Sequence, residues 1–543
     1  MATPVLPPQA ASHRSILDAK LFRSSPGKWG VFVFSLLLIS GLLYIREKLS
    51  LDLSAVHPRT IFPFVLLGVA LLIALGFEFV NGFLDTANAV ATVIYTNSLD
   101  PHIAVVYSGI LNFIGVLLSS GTVAFAIIGL LPVELFLKIS HGSGFSMVFA
   151  ILIAAIVWNL ASWWKAMPVS SSHTMIGSIL GVALVYQFTQ GNGSAGLDWS
   201  QIKKVLEALL ISPIIGFGFA GLVLLLFRFT ARDPRLYTEP VGSAPPPFYI
   251  RALLVLTCGG VSYAHGSNDG QKGMGLIMLI LVGTVPTAFA LNHHVSLRDT
   301  QGFAAISNLA STALSHYTVP HTSPAPSPEA YEAELRHFIT TKTYDPGILP
   351  ALQLQINTLQ IEIASASSLA TLPPAMQPAI RNQMFLSSET LRLLPRASGA
   401  PRFSPADAAT LSTYRGFLDR STRFIPTWVK VAVALALGLG TMVGWKRIVI
   451  TVGEKIGKTH LTYAQGAAAQ LVAMCTILVA DTYGLPVSTT HVLNSGIAGT
   501  MTANGSGLQW NTIRNIAMAW VFTLPAAALL SGFLYYLFNR IAH

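Results

Sequence analysis

A hexapeptide that occurs twice constrains this chain more than any other feature. Pro168-Val169-Ser170-Ser171-Ser172-His173 returns as Pro486-Val487-Ser488-Thr489-Thr490-His491, identical or hydroxyl-for-hydroxyl at every position. Each copy follows an apolar run, Met147 to Trp164 before the first and Leu471 to Ala480 before the second. Each precedes another apolar stretch with a matching glycine, Gly181 and Gly499. Hydroxyls, a His and a Pro at membrane depth cost free energy unless they line a polar cavity. A surface turn has no reason to recur in this form, so the repetition reads as two half-sites facing one ligand.

The apolar runs belong to a membrane protein. Of 543 residues, 52% are hydrophobic and only 10% charged, and the mean hydropathy is +0.59. Soluble domains carry about 25% charged residues, and several runs here approach the ~20 residues needed to cross a bilayer. The net charge of +10 reads as basic cytoplasmic loops rather than a nucleic-acid surface. Cys258 and Cys475 both lie in apolar runs and read as packing residues, not a disulfide framework. Residues 1–29 are basic, and no small-residue cleavage site follows the run Val31 to Tyr44. That run reads as an anchor helix with a cytoplasmic tail.

Taken in order, the chain repeats a pattern. Ile61 to Val80 is apolar and leads into Asn81-Gly82-Phe83-Leu84-Asp85-Thr86-Ala87-Asn88-Ala89, continuing to Thr96. Ile103–Leu130 reads as one span, followed by a loop at Glu134 and Lys138, then Met147–Trp164, the first hexapeptide, Met175–Tyr186, a Gly-rich link at Gly191–Gly196, and Leu209–Phe227. Tyr249 to Ala264 then leads into His265-Gly266-Ser267-Asn268-Asp269-Gly270-Gln271-Lys272-Gly273, resuming to Ala290. Trp428–Trp445, a basic loop Lys446–Lys458, Tyr463–Ala480, the second hexapeptide, Val492–Met501 and Ile513–Phe538 complete the second round. Acids and amides beside a glycine inside a span predict that both Asp-containing helices are broken or line a cavity. Asp85 thus matches Asp269, and Pro168 matches Pro486.

The predicted fold is an all-α polytopic membrane protein. It has two inverted repeats with broken or re-entrant helices around a mid-membrane site, an extra N-terminal helix and a mostly helical insertion. The expected boundaries are 1–60 for the tail, extra helix and link, 61–230 for repeat 1, and 231–247 for a cytoplasmic link. Residues 248–290 start repeat 2, 291–425 form the insertion, and 426–543 complete repeat 2. Within the insertion, Ser327 to Lys342 and Ala351 to Leu369 look helical, the first starting with a cap and Pro328. Inversion follows from charge. Placing the N-terminus, the Arg228–Arg251 link and Lys446–Lys458 together in the cytoplasm requires each Asp-containing segment to cross once. The insertion and the C-terminus then fall outside.

At these motifs the chain resembles the PiT-type inorganic phosphate transporters, in particular the bacterial low-affinity group. The resemblance spans roughly Ile61–Phe538 apart from parts of the insertion. It rests on the two Asp segments, both hexapeptides and Gly453-Glu454-Lys455-Ile456-Gly457. It implies a multi-pass protein of the bacterial inner membrane that imports inorganic phosphate by proton symport, as a neutral complex with Mg2+, Ca2+, Zn2+ or another divalent metal. Two departures stand out from the Gly-x-Asn-Asp-x-x-Asn pattern of the wider family: Leu84 precedes Asp85, and Lys272 stands where the first copy has Asn88. The two half-sites are therefore chemically unequal.

Phosphate needs several donors at fixed spacing. Ser170, Ser171, Ser172 and Thr174 in the first repeat and Ser488, Thr489 and Thr490 in the second supply hydroxyls near helix breaks, where freed N–H groups add donors. Asn88, Asn268 and Gln271 complete the expected phosphate set. Asp85 and Asp269 are acceptors that bind a cation, carry a proton or touch a metal–phosphate complex. Lys272 supplies fixed positive charge, and His173, His491 and Glu78 are candidate proton carriers. Nucleotide-binding loops and catalytic motifs are missing from the sequence, so no enzyme and no bound cofactor is expected. Lipid and phosphate are the expected partners, with a homo-oligomer left open. Sodium coupling, another oxyanion such as sulfate, and a non-transporting phosphate sensor are the alternatives.

Overall fold

The computed structural model describes residues 28–53, 61–131, 143–189, 199–240, 245–295, 297–318, 327–364, 366 and 368–542. The expected tail before Lys28, the Glu134–Lys138 loop and the Gly191–Gly196 link lie outside these residues. The described residues are helical, and their one β-type contact is a bridge between Gly457 and Leu508. Among the described residues, seven helices are long and apolar enough to cross a membrane. They are α1 (Lys28–Asp52), α2 (Phe62–Tyr95), α3 (Pro101–Leu118), α5 (Ser143–Trp164), α7 (Trp199–Thr230), α17 (Tyr463–Thr482) and α19 (Trp510–Ala542).

Two helices form the axis of the molecule: α2 and α8 (Phe248–Thr284), of 34 and 37 residues. Both run unbroken through their Asp segments, so of the two expected alternatives, broken or cavity-lining, the structure corrects the first. The glycines there serve close approach instead. A Cβ on Gly82 would lie 2.3 Å from Leu437 O, and one on Gly266 would lie 2.2 Å from Asn112 O. The acids find partners on neighbouring helices, so the backbone need not open. At ~1.5 Å per residue, α2 is about 51 Å long, well beyond the ~30 Å hydrocarbon core. Asp85 therefore lies about 15 Å inside one end of α2.

The breaks come at the hexapeptides. The chain leaves helix after Trp164 and re-enters it in α6 (Ser171–Thr189); it leaves after Thr482 and re-enters in α18 (Thr489–Asn504). Each half-helix packs on the last long helix of the other half, α6 on α19 and α18 on α7. The matched glycines make this possible. A Cβ on Gly181 would lie 2.0 Å from Ala528 O, and one on Gly499 would lie 2.0 Å from Phe217 O.

Other boundaries also differ from expectation. Ile103–Leu130 is not one span: it breaks at Gly121, whose φ of +86° starts the short α4 (Thr122–Ile128). The expected span Trp428–Trp445 ends early, as α15 (Thr427–Gly440), and Gly444 turns the chain with φ +74°. The basic loop after it is partly helical, as the amphipathic α16 (Lys446–Glu454). Cys258 is buried as expected, but Cys475 is exposed on α17, facing outward rather than packing.

Between α8 and α15 lie a short turn of helix, α9 (Pro286–Phe289), and five more helices: α10 (Leu297–Ser315), α11 (Pro328–Thr341), α12 (Ile348–Ala364), α13 (Gln377–Leu393) and α14 (Pro405–Thr422). These five share a core of their own built on Phe303, Leu335, Leu352, Met384 and Tyr414. Asn292 clips the two ends of the insertion together: its N–H donates to Ser421 O at 2.8 Å and its Nδ2 to Arg420 O at 3.2 Å. The insertion caps one end of the bundle, where Lys430 Nζ donates to Ser119 O at 2.8 Å and Trp428 Nε1 to Asp52 Oδ2 at 2.8 Å. At the other end, Arg251 Nε donates to Ser98 O at 2.7 Å and Arg447 Nη1 to Trp164 O at 3.1 Å.

Close helix packing at Gly499 yields a stability test. Gly499→Ala must push α18 off α7 and should lower stability by roughly 1–3 kcal/mol through overpacking. Gly218→Ala on the same face-to-face helix pair meets nothing within 4 Å and should be neutral or stabilising by up to about 1 kcal/mol. Thermal unfolding of the two variants in detergent checks this; equal midpoints would contradict it.

Candidate functional site

The helical repeat brings the chemistry of α8 onto one face. His265 lies four residues before Asp269 and Lys272 three after it, so the three side chains are neighbours. All three are buried. Lys272 Nζ sits 2.6 Å from Asp269 Oδ1 and donates to Ser172 Oγ. His265 Nε2 stands 3.6 Å from Asp269 Oδ2 and 3.7 Å from Asp85 Oδ2. Its Nδ1 lies 2.6 Å from Asn112 Oδ1, an arrangement that assigns the Nδ1 proton to that bond. The axis helices thus meet at two carboxylates with an imidazole between them.

Both hexapeptides close on this pair. Ser171 Oγ donates to Asp85 Oδ2 at 2.8 Å and reaches Asp269 Oδ2 at 3.4 Å. From the other half, Thr490 Oγ1 donates to Asp85 Oδ1. Asn88 Nδ2 donates to the same Oδ1 at 3.2 Å and to Thr490 Oγ1 at 3.0 Å. Ser172 Oγ donates to Val487 O at 2.8 Å, joining one hexapeptide to the other. Ser170 and Ser488 cap their half-helices alike, accepting from His173 N–H at 3.2 Å and His491 N–H at 3.1 Å. Thr489 is buried at the first position of α18.

Several residues expected to face phosphate are engaged elsewhere. Thr174 Oγ1 bonds back to Ser170 O at 3.1 Å, a common fate of helical hydroxyls. Gln271 accepts from Val123 N–H at 2.9 Å and donates to Asp481 Oδ1 at 2.6 Å and Ser267 O at 2.7 Å. Asn268 Nδ2 donates to Leu485 O at 3.1 Å. These three brace the site. His173 and His491 pack ring to ring, with centroids 4.3 Å apart, and His491 stacks on Trp520 at 3.9 Å. Glu78 lies beside Gly273 and accepts from Asn81 Nδ2 at 3.5 Å; its Oε1 has no hydrogen-bond partner among the described residues.

His265 and Asp481 are the contributors that sequence reasoning passed over. His265 was legible from its i, i+4 spacing to Asp269. Asp481 is the acid that ends an apolar run, and Ser267 Oγ donates to it at 2.7 Å. Asp85, His265 and Asp269 offer ligand atoms within 4.8 Å of one another, a donor set able to hold a cation. Lys272 and the two hydroxyls already offset part of that negative charge. The cluster can therefore exchange a proton or a cation without leaving a large charge buried.

The ion pair itself is testable. Lys272→Met leaves Asp269 without its ammonium and should cost about 3–5 kcal/mol of stability. Adding Asp269→Asn to that variant should restore much of the loss, because the uncompensated charge goes with it. Chemical denaturation of the detergent-solubilised single and double variants measures this, and a double variant no more stable than Lys272→Met would contradict it.

Comparison with known proteins places the chain in a family. The chain is 41% identical over 493 residues to the low-affinity inorganic phosphate transporter PitB of Escherichia coli (strain K12), covering 87% of this chain and 97% of that protein. It is equally 41% identical to the low-affinity inorganic phosphate transporter PitA of the same strain, with the same coverage. A probable low-affinity inorganic phosphate transporter of Bacillus subtilis (strain 168) is 27% identical over 472 residues, covering 86% of this chain and 96% of that one. A solved structure titled "The sodium-dependent phosphate transporter" overlaps 88% of this chain and all of its own, at 20% identity and a TM-score of 0.49. These relatives are named as transporters, not enzymes. With residues 81–531 matching its family model, the chain belongs to the phosphate transporter family.

Proposed function

We propose that the chain imports inorganic phosphate across a bacterial inner membrane by proton symport, as a neutral complex with a divalent metal. The observation that carries this reading is that both hexapeptides meet one acid pair: Ser171 donates to Asp85 and Asp269, and Thr490 to Asp85. A tetrahedral oxyanion can take over these hydroxyls and the N–H groups at the starts of α6 and α18. The carboxylates so released are free to accept the metal of the complex or a proton. No arginine lies in either hexapeptide, so the donors are moderate and the load can leave again.

Charge supports the choice of proton. Asp85, Asp269 and Lys272 together carry one net negative charge, and a proton on His265 brings the cluster to zero. A neutral metal–phosphate complex then enters and leaves without burying net charge. Lys272 meanwhile occupies the place a second cation would need. Bringing another unit positive charge to ~4 Å costs about 4 kcal/mol at an intermediate dielectric. Leu84 removes one more oxygen from the first half-site. Sodium therefore gains little at either half.

Alternating access fits a pair of inverted repeats. Each half-helix packs on the last long helix of the other half, so a rocking of one half against the other exposes the same residues to either end. In this arrangement the N-terminus is cytoplasmic, and the C-terminus and the 291–425 insertion are periplasmic.

Radiolabelled phosphate uptake into proteoliposomes tests the reading, with the pH gradient, sodium gradient and divalent metal varied separately. Uptake should follow an inward proton gradient, require divalent metal and ignore sodium. Asp85→Asn, Asp269→Asn and His265→Gln should each lower uptake at least 100-fold with membrane insertion intact, about 2.7 kcal/mol of lost stabilisation. Lys272→Asn should lower proton-driven uptake. Strong sodium stimulation of the unmodified chain at fixed pH would overturn the coupling, and near-normal uptake in the acid variants would overturn the site.

A further inference from the structure

The insertion does more than cap the bundle. Between its helices α11, α13 and α14 and the ends of α4, α8 and α17 lies a cavity of about 630 Å3. Six basic side chains line it: Lys204, Lys342, Arg381, Arg392, Arg420 and Arg423. Among the described residues, two carboxylates line it, Glu389 and Asp419. The acids are already committed. Glu389 holds Arg392 at 2.7 Å and Arg423 at 2.6 Å, and Asp419 takes Arg423 Nε at 3.2 Å and Ser388 Oγ at 2.6 Å. Within the lining itself, basic side chains outnumber carboxylates by four. Arg381 is buried in the wall, where burial and the like charge of Arg423 push its guanidinium down to about 9, still charged at neutral pH.

The floor of this cavity adjoins the site described above. It includes Thr122 and the turn Thr482–Leu485, which runs directly into the second hexapeptide at Pro486. Thr122 Oγ1 donates to Asp481 O at 3.2 Å, and Asn268, next to Asp269, holds Leu485 O at 3.1 Å. A low-dielectric, partly enclosed chamber with one sign of charge concentrates ions of the opposite sign and speeds their arrival. Guanidinium groups match the oxygen geometry of phosphate.

Resting on the phosphate-transport reading, we infer that the insertion builds a cationic vestibule that binds free inorganic phosphate on its way to the hexapeptides. The vestibule is a second, weaker anion site, separate from the acid cluster, and it sets the apparent affinity of transport. Its occupant is dissolved phosphate rather than a lipid headgroup, since helices of the polar insertion wall the chamber and its floor runs into the second hexapeptide.

The test uses the full chain with Lys204→Glu and Arg420→Glu together, two exposed side chains whose replacement leaves the fold intact. In proteoliposomes the double variant should raise the KM for phosphate roughly five- to tenfold at unchanged maximal rate. The wild-type KM should rise with ionic strength, as exposed charges are screened, and the variant's should not. Equilibrium binding of radiolabelled phosphate to the chain in neutral detergent, with and without added phosphatidylglycerol, gives an independent readout. Wild type should show salt-sensitive binding, without lipid, that the double variant loses. If wild type takes up no phosphate, the transport reading fails and this binding assay alone decides the vestibule. A variant matching wild type in KM, salt dependence and binding overturns the inference, as does wild-type binding that phosphatidylglycerol abolishes.

Discussion

Charge buried between two long helices is the constraint on which this molecule turns. Asp85 on α2 and Asp269 on α8 lie far inside helices that outspan a bilayer, and neither acid can be left bare there. Lys272 answers Asp269 directly at 2.6 Å. Asp85 is answered by Ser171 and Thr490 from two other helices and by Asn88 one turn further along α2. Ser171 and Thr490 stand at the starts of the two half-helices. The need to satisfy two acids therefore fixes where α6 and α18 begin, and so where the chain must leave and re-enter helix.

Packing of the rest follows from the same requirement. Half-helices can reach the acids only by lying tightly on their supports, and glycine is what permits it. Gly177 and Gly181 seat α6 on α19, and Gly499 with Gly216 seats α18 on α7. Gly82 and Gly440 let α2 and α15 touch backbone to backbone, and Gly115 and Gly266 do so for α3 and α8. Small residues at helix contacts are how membrane helices gain packing when lipid is as apolar as the side chains. A two-state rocking of such a bundle needs flat, close contacts that can slide as units, and these glycine seams provide them.

Much of this was legible in the sequence. The twice-written hexapeptide located both half-helix starts within a few residues, and the paired Asp segments located the centre. The helical insertion was legible from its change to mixed charge and from the Ser327-Pro328 start. What was not legible has physical reasons. Acids beside glycine in an apolar run fit a broken helix as well as a continuous one, and only the partners on other helices decide between them. The break at Gly121 has the same ambiguity, since a positive φ leaves no mark beyond the glycine. Thr174, Gln271 and Asn268 carry the right groups for phosphate, yet Thr174 bonds its own helix and the other two bind neighbouring segments. His265 was visible by spacing but overshadowed by the hexapeptide histidines. Exposure of Cys475 depends on which face of α17 meets neighbours, which an all-round apolar helix does not announce.

In the proposed symport, the acid–imidazole–ammonium cluster moves a proton with each phosphate. The most direct measurement is the pH inside proteoliposomes, read by a trapped dye when phosphate and a divalent metal are added outside with no gradient imposed. The lumen should acidify as phosphate enters, at a rate independent of sodium, and Asp269→Asn should abolish the acidification. Phosphate uptake with no change in lumenal pH, appearing only when sodium is supplied, would contradict it.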